Sequence, residues 1–264
     1  MSETGATLPR VELPYGRIEG RWLDGQRVFL GIPYARAPAG ALRWQAPVPV
    51  ESWAGTRVCD RFGPVPPQAG PAGSASATGD FDCLCLNIWC PPRGPGPWPV
   101  MVWVPGGGFL RGGASDPLYD GAAMARQGLV FVSIQYRIGV DGFMHFDDAE
   151  PNRGLKDQLA ALRWVRAHIG LFGGDADRVT VAGVSAGAGA LVHLMGMEAS
   201  DGLFQRVILQ SASLQTHDLE DAARIREAVA GVLGVAPTRA ALSEVPLGPL
   251  TQALLGFLGD ESLK

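Results

Sequence analysis

The pentapeptide Gly183-Val184-Ser185-Ala186-Gly187 lies between RVTVAGV, a β-branched run, and AGAGALVHLMGM, a run of small and apolar residues. A strand that ends in Gly-x-Ser-x-Gly and continues as a helix must reverse sharply, which leaves the serine projecting from a strained corner. Glycines flank it because a Cβ at either place would hold strand and helix apart. The first free N–H groups of the helix then face the place where negative charge would develop on an attacked carbonyl. Ser185 is therefore the candidate nucleophile. A small-residue packing site is the competing reading, since a chain with 36 glycines produces such pentapeptides by chance.

Such a corner needs a sheet, and the surrounding sequence supplies one. CLCLNIWC, PVMVWV, LVFVSIQY, RVTVAGV and RVILQS are short β-branched or aromatic runs, several apolar enough to be covered on both faces. Leu155, Leu159, Leu162, Val165 and Ile169 recur at helical spacing and mark one apolar face, ending near Gly170. RIEGRWLDGQRVFLGI reads as a β-hairpin turning at Asp24-Gly25. The predicted fold is α/β: a mostly parallel central sheet covered by helices, with an N-terminal antiparallel hairpin. A single domain over residues 1–264 is expected, with a flexible Pro-, Gly- and Ser-rich loop at 63–79 and a helical tail at 218–264.

A second glycine motif follows the strand PVMVWV: Trp103-Val104-Pro105-Gly106-Gly107-Gly108-Phe109. Three glycines free the backbone N–H groups to face a ligand, and an oxyanion hole requires donors placed before the oxyanion forms. Gly107, Gly108 and Ala186 are the expected donors, with Trp103, Phe109 and Phe143 as an apolar, aromatic surround for substrate. A phosphate-binding loop would show Gly-x-Gly-x-x-Gly or a following Gly-Lys-Ser/Thr, and neither is present.

Composition removes other classes. The net charge is −4 without a basic cluster, so nucleic acid and anionic membranes are not expected partners. No apolar window reaches the length of a membrane span and the N-terminus has no secretory pattern, so the expected location is cytoplasmic. Lys156 and Lys264 are the only lysines among 22 basic residues, a bias expected of a GC-rich bacterial source. Cys59, Cys83, Cys85 and Cys90 lack metal-ligand spacing, so no metal is expected. Buried free thiols are the favoured reading, and a Cys59–Cys83 disulfide the alternative.

Taken together, GIPYARAPAGALRW, DCLCLNIWCP, WVPGGGF, IQYRIGVDGF, GLKDQLAALRWVRAHIGLFGGDADRVTVAGVSAGAGA and FQRVILQSAS make the chain resemble the N-terminal half of a type-B carboxylesterase, over residues 17 to about 215. The resemblance implies an α/β-hydrolase fold and hydrolysis of a small carboxylic ester through an acyl-enzyme, with no cofactor. It implies Ser185 as nucleophile and Gly107, Gly108 and Ala186 as the oxyanion hole. Three positions depart from the family pattern. Pro105 stands where His or Tyr is usual, and Val184 where Glu often precedes the serine. Phe81 replaces the Glu that usually pairs with the counterpart of Arg43, leaving Asp80 and Asp82 as substitute candidates.

In this fold the triad acid and histidine follow the serine, on loops after later strands. Family members run to roughly twice this length and carry both groups in the half that has no counterpart here. After RVILQS the chain reads as helix, then the Leu-rich LTQALLGFLG, the candidate cap over an otherwise open sheet edge. His168 and His193 read as helix residues and His145 as a loop residue near Asp147 and Asp148. His217 follows the strand RVILQS on the elbow's edge of the sheet and is the least implausible stand-in base, a solvated loop histidine being the ordinary explanation. The expectation is an esterase represented here by a truncated or separately encoded N-terminal segment, whose base and acid come from a missing C-terminal segment. The alternative is a degenerate, non-catalytic member serving as a binding or interaction module.

Overall fold

The computed structural model describes residues 7–70, 77–92, 94, 96–214 and 216–259. In chain order the strands are β1 (Arg10–Leu13), β2 (Gly16–Glu19), β3 (Arg21–Leu23), β4 (Gln26–Pro33), β5 (Thr56–Val58), β6 (Gln68–Ala69), β7 (Ala77–Thr78), β8 (Cys85–Trp89), β9 (Trp98–Val104), β10 (Val130–Ile134), β11 (Gly174–Val184) and β12 (Arg206–Gln210). The helices are α1 (Ala122–Arg126), α2 (Gly139–Phe143), α3 (Arg153–His168), α4 (Ala186–Met195), α5 (Leu219–Leu233), α6 (Arg239–Ser243) and α7 (Leu247–Gly259).

Seven strands form the central sheet in the order β12-β11-β9-β10-β8-β4-β3. β12, β11, β9 and β10 run parallel, whereas β8, β4 and β3 add antiparallel neighbours. Alternation along the strands divides two cores. Val100, Val102 and Val104 of β9, with Val130, Val132 and Ile134 of β10, face the large core that Leu159, Leu162 and Val165 of α3 and Leu191 and Leu194 of α4 complete. Met101, Trp103 and Phe131 point the other way, toward Val28, Leu30, Trp89 and Ala125.

Asp24-Gly25 does turn a hairpin, but it joins only β3 to β4. β2, expected in the same hairpin, belongs instead to a three-stranded side sheet, β1-β2-β5. The break falls at Gly20, where a Cβ would run into the Val28 carbonyl and the Phe29 ring, so the chain passes close beneath β4 and leaves the sheet.

All four cysteines are free and buried. Burial pushes the Cys59 and Cys85 thiols up to about 12 and Cys90 to about 11. In the 63–79 segment residues 71–76 lie outside the described residues, and β6 and β7 pair antiparallel across them. The tail forms α5, α6 and α7, and its packing differs from the expected cap. Val229, Ala230, Leu242, Leu250, Ala253 and Leu254 close on Trp44, Val140, Met144 and Phe146 at the opposite flank of the site, and α7 lies against α2, β6 and β7. Ion pairs help fix it there, Arg239 to Asp148 at 2.8 Å and Arg226 to Asp147 at 3.9 Å. The β12 edge stays open, with Ile208 41% and Leu209 40% exposed. No helix among the described residues is long and apolar enough to cross a membrane.

Candidate active site

Parallel strands deliver their C-terminal ends to one rim, where α/β proteins place their sites. β11 ends at Val184, and Ser185 caps α4 with φ 53° and ψ −122°. A side chain rarely adopts that backbone, at a cost of about 1–3 kcal/mol. The corner is held on both sides. Ser185 N–H donates to the Gln210 carbonyl of β12 at 2.8 Å, and its own carbonyl accepts from Gly189 N–H at 2.9 Å. A Cβ on Gly183 would come within 2.8 Å of the Gly187 backbone, and one on Gly187 would meet the Val104 and Pro105 carbonyls. The Ser185 side chain is exposed, and its hydroxyl has no hydrogen-bond partner among the described residues.

The glycine loop after β9 lies directly against this corner. A Cβ on Gly106 would stand 2.6 Å from the Val184 carbonyl and 3.3 Å from the Ser185 Cβ. Gly107 and Gly108 have φ of 120° and 64°, and Phe109 follows at 60°. The Gly107 carbonyl accepts from the N–H groups of Leu110 and Arg111 at 3.1 and 3.2 Å, closing a tight turn. The N–H groups of Gly107 and Gly108 have no acceptor among the described residues. Ala186, the first residue of α4, likewise has no intrahelical acceptor for its N–H. Three N–H donors without an acceptor among the described residues therefore lie in the two segments that meet at Ser185, the glycine loop and the first residue of α4.

Of the three aromatic residues expected around the substrate, the structure brings two together. The Phe109 and Phe143 rings lie 4.7 Å apart, and Gly139 N–H donates to the Phe109 carbonyl at 2.6 Å, tying α2 to the glycine loop. Trp103 lies on the other face of β9, against Tyr119 at 5.4 Å, with its indole N–H buried and unpaired. Burial raises the Tyr119 hydroxyl above its ordinary range and Asp116 adds to this, opposed by the Gly106 amide.

None of the four histidines bonds to Ser185. His217 is exposed, with Nδ1 3.9 Å from Asp221 Oδ2, one helical turn away. His193 sits eight residues along α4, about 12 Å from the corner at 1.5 Å per residue. His145 faces Asp147 at 3.4 Å, and His168 is enclosed by Tyr15 and Trp164. Burial lowers the His168 pKa. Among the described residues no three His, Cys, Asp or Glu side chains gather in a way that could hold a metal ion.

A buried charge network ties the segment after β10 to α2, α3 and residues 43–45. Arg137 and Asp157 form a two-bond pair, Nε to Oδ2 at 2.7 Å and Nη2 to Oδ1 at 2.6 Å, essentially without solvent contact. Arg43 pairs with Asp141 of α2 at 2.6 Å, not with Asp80 or Asp82, and its guanidinium stacks near the Phe81 ring at 5.2 Å. The charge absent at 81 is thus supplied from 141, a residue distant in sequence that no local pattern identifies. Arg153 donates to the carbonyls of Asp141, Val140, Met144 and Glu150 and binds α2 to α3.

A model of the carboxylesterase family matches residues 7–241. Para-nitrobenzyl esterase of Bacillus subtilis (strain 168) is 42% identical over 234 residues, covering 85% of this chain and 48% of that protein. Fumonisin B1 esterase of Sphingopyxis macrogoltabida is 42% identical over 257 residues, 88% of this chain and 46% of that one. Among solved structures, a PNB esterase superposes with a TM-score of 0.88 at 38% identity, over 97% of this chain and 55% of its own. Juvenile hormone esterase from Manduca sexta, with OTFP covalently attached, gives 0.86 at 29% identity, over 96% and 52%. The chain spans about half the length of the relatives it matches.

Proposed function

We propose, because this chain belongs to the carboxylesterase family, that it is the nucleophile-bearing part of a carboxylic ester hydrolase. Ser185 Oγ attacks the carbonyl carbon of a small ester. The carbonyl π electrons move onto oxygen, and the N–H groups of Gly107, Gly108 and Ala186 stabilise that oxyanion. Collapse of the tetrahedral intermediate breaks the acyl–oxygen bond, releases the alcohol and leaves an acyl group on Ser185. Water then attacks the acyl carbon, releasing the acid and restoring the serine. Phe109 and Phe143 offer an apolar wall beside the loop. The observation that carries the reading is the exposed Ser185 hydroxyl, without a partner among the described residues, at φ 53° on a corner against which the glycine loop packs.

The serine proton needs an acceptor, which the reading assigns to the C-terminal part that the longer relatives carry beyond the stretch this chain matches, a part that would supply histidine and acid. The open β12 edge beside Ser185 is where such a segment docks. The second reading, a non-catalytic binding module, draws on the lack of any histidine bonded to Ser185 among the described residues. The experiment is hydrolysis of p-nitrophenyl butyrate by residues 1–264, alone and mixed with the C-terminal half of the Bacillus para-nitrobenzyl esterase, beside Ser185→Ala. Serine-dependent turnover that appears or rises on mixing supports the proposal. Serine-dependent turnover by the chain alone, abolished by His217→Ala, moves the base to His217. No serine-dependent reaction in any mixture leaves the binding module.

A further inference from the structure

The glycine loop is gripped from outside, and we infer that Gln68 is a positioning residue for the oxyanion donors, an inference that rests on the reaction proposed above. Gln68 is 7% exposed. Its Oε1 accepts from Gly112 N–H at 2.8 Å while its Nε2 donates to the Gly112 carbonyl at 3.0 Å. The side-chain amide thus pairs with one residue's backbone as a neighbouring strand would. Nε2 also donates to the Pro66 carbonyl at 3.0 Å, which fixes the amide's own orientation.

Gly112 in turn touches the donors' loop. Its φ is 94°, and a Cβ there would stand 3.2 Å from the Gly106 carbonyl. The turn from Gly106 to Gly112 is therefore closed at its inner end by Gly107, whose carbonyl takes two N–H groups, and at its outer end by Gln68. A second glutamine ties the loop's continuation to the same segment: Gln135 Oε1 accepts from Ala114 N–H at 2.6 Å and Nε2 donates to the Pro64 carbonyl at 3.3 Å. The Tyr136 hydroxyl secures the loop's start on the Pro105 carbonyl at 2.7 Å. α7 lies against β6, which contains Gln68, so the helical tail backs the grip.

Three consecutive residues with positive φ, two of them glycines, give this loop little stiffness of its own. Gln68 supplies stiffness through two hydrogen bonds to a residue that is not itself a donor to the oxyanion. A buried amide that only satisfied stray backbone groups would affect stability but not the reaction of the folded protein.

The test uses the full chain and diethyl p-nitrophenyl phosphate, a neutral reagent that needs no turnover. Ser185 Oγ forms a bond to phosphorus, the aryl P–O bond breaks, p-nitrophenolate leaves and the hydroxyl proton passes to solvent. Gln68→Ala is expected to lower the saturating rate constant about 10-fold while the half-saturating concentration stays within about 2-fold, since donors displaced by less than an ångström lose stabilisation of the transition state, not binding. Gln68→Glu keeps the acceptor for Gly112 N–H and falls between the two. Amide exchange of residues 106–113 should accelerate in Gln68→Ala without change elsewhere. A folded Gln68→Ala with the wild-type rate constant overturns the inference and leaves the proposed function standing. If Gln68→Ala does not fold, a Gln68→Glu rate constant equal to wild type overturns it. A wild-type chain that reacts at Ser185 neither alone nor mixed with the C-terminal half of the Bacillus para-nitrobenzyl esterase overturns both.

Discussion

Asp157→Asn isolates the buried Arg137–Asp157 charge pair. The Arg137 guanidinium is 1% exposed, and burial alone would lower its pKa. The Asp157 charge and its hydrogen bonds outweigh that cost and hold the pKa above its ordinary value. Asparagine has the same shape and keeps one acceptor, so the perturbation is the lost charge plus an amide NH2 turned toward cationic nitrogens. Arg137 retains the carbonyls of Arg43 and Gln45 at 3.2 and 2.8 Å, and these compensate in part. Breaking one side of a buried pair costs about 3–5 kcal/mol, and the retained carbonyls place this case near 3. At about 2 °C per kcal/mol for a domain of this size, the melting temperature should fall by roughly 6 °C. Urea denaturation followed by tryptophan fluorescence gives the free energy, and calorimetry the temperature. Replacing both partners, Arg137→Met with Asp157→Leu, should recover most of the loss because no charge is then stranded. A loss below about 1 kcal/mol for the single variant, or a double variant no better than the single, would refute this reasoning.

Two further expectations follow from burial. No thiol should react quickly with Ellman's reagent in the folded chain and all four should in denaturant, since Cys59, Cys83, Cys85 and Cys90 are buried with raised pKa; one fast-reacting thiol in the native protein would contradict this. The lowered His168 pKa means the unfolded chain binds that proton more readily, so stability contributed by the neutral ring is present above the ordinary value of 6.5 and lost as pH falls below it. His168→Phe should flatten the stability profile between about pH 7 and 5, and an unchanged slope would show that other groups set it.

The parts of the fold legible in the sequence are those with a period or a local steric demand. Leu159, Leu162 and Val165 announce α3 through their spacing, and Val100, Val102 and Val104 sort to one core by alternation. The Ser185 corner is legible because glycine on both sides is a consequence of close backbone approach, visible wherever the two glycines occur together. Contacts between residues far apart in the chain carry no such signature. Asp141 as the partner of Arg43 lies 98 positions away, and nothing in IQYRIGVDGF sets that aspartate apart from a solvated one. The helical tail could be recognised as amphipathic, but its apolar face does not say which of two exposed surfaces it covers. Gln68 and Gln135 hold the glycine loop through single side-chain amides in irregular segments, where neither periodicity nor composition marks them.

The account stands on Ser185 being a reactive nucleophile in this chain. Intact-mass measurement after incubation of residues 1–264, alone and mixed with the C-terminal half of the Bacillus para-nitrobenzyl esterase, with diethyl p-nitrophenyl phosphate, followed by peptide mapping, asks this directly. The predicted result is a single diethylphosphoryl group on Ser185 in the wild type and none on Ser185→Ala. Equal labelling of the two proteins, or a label that maps to any other residue, would contradict it.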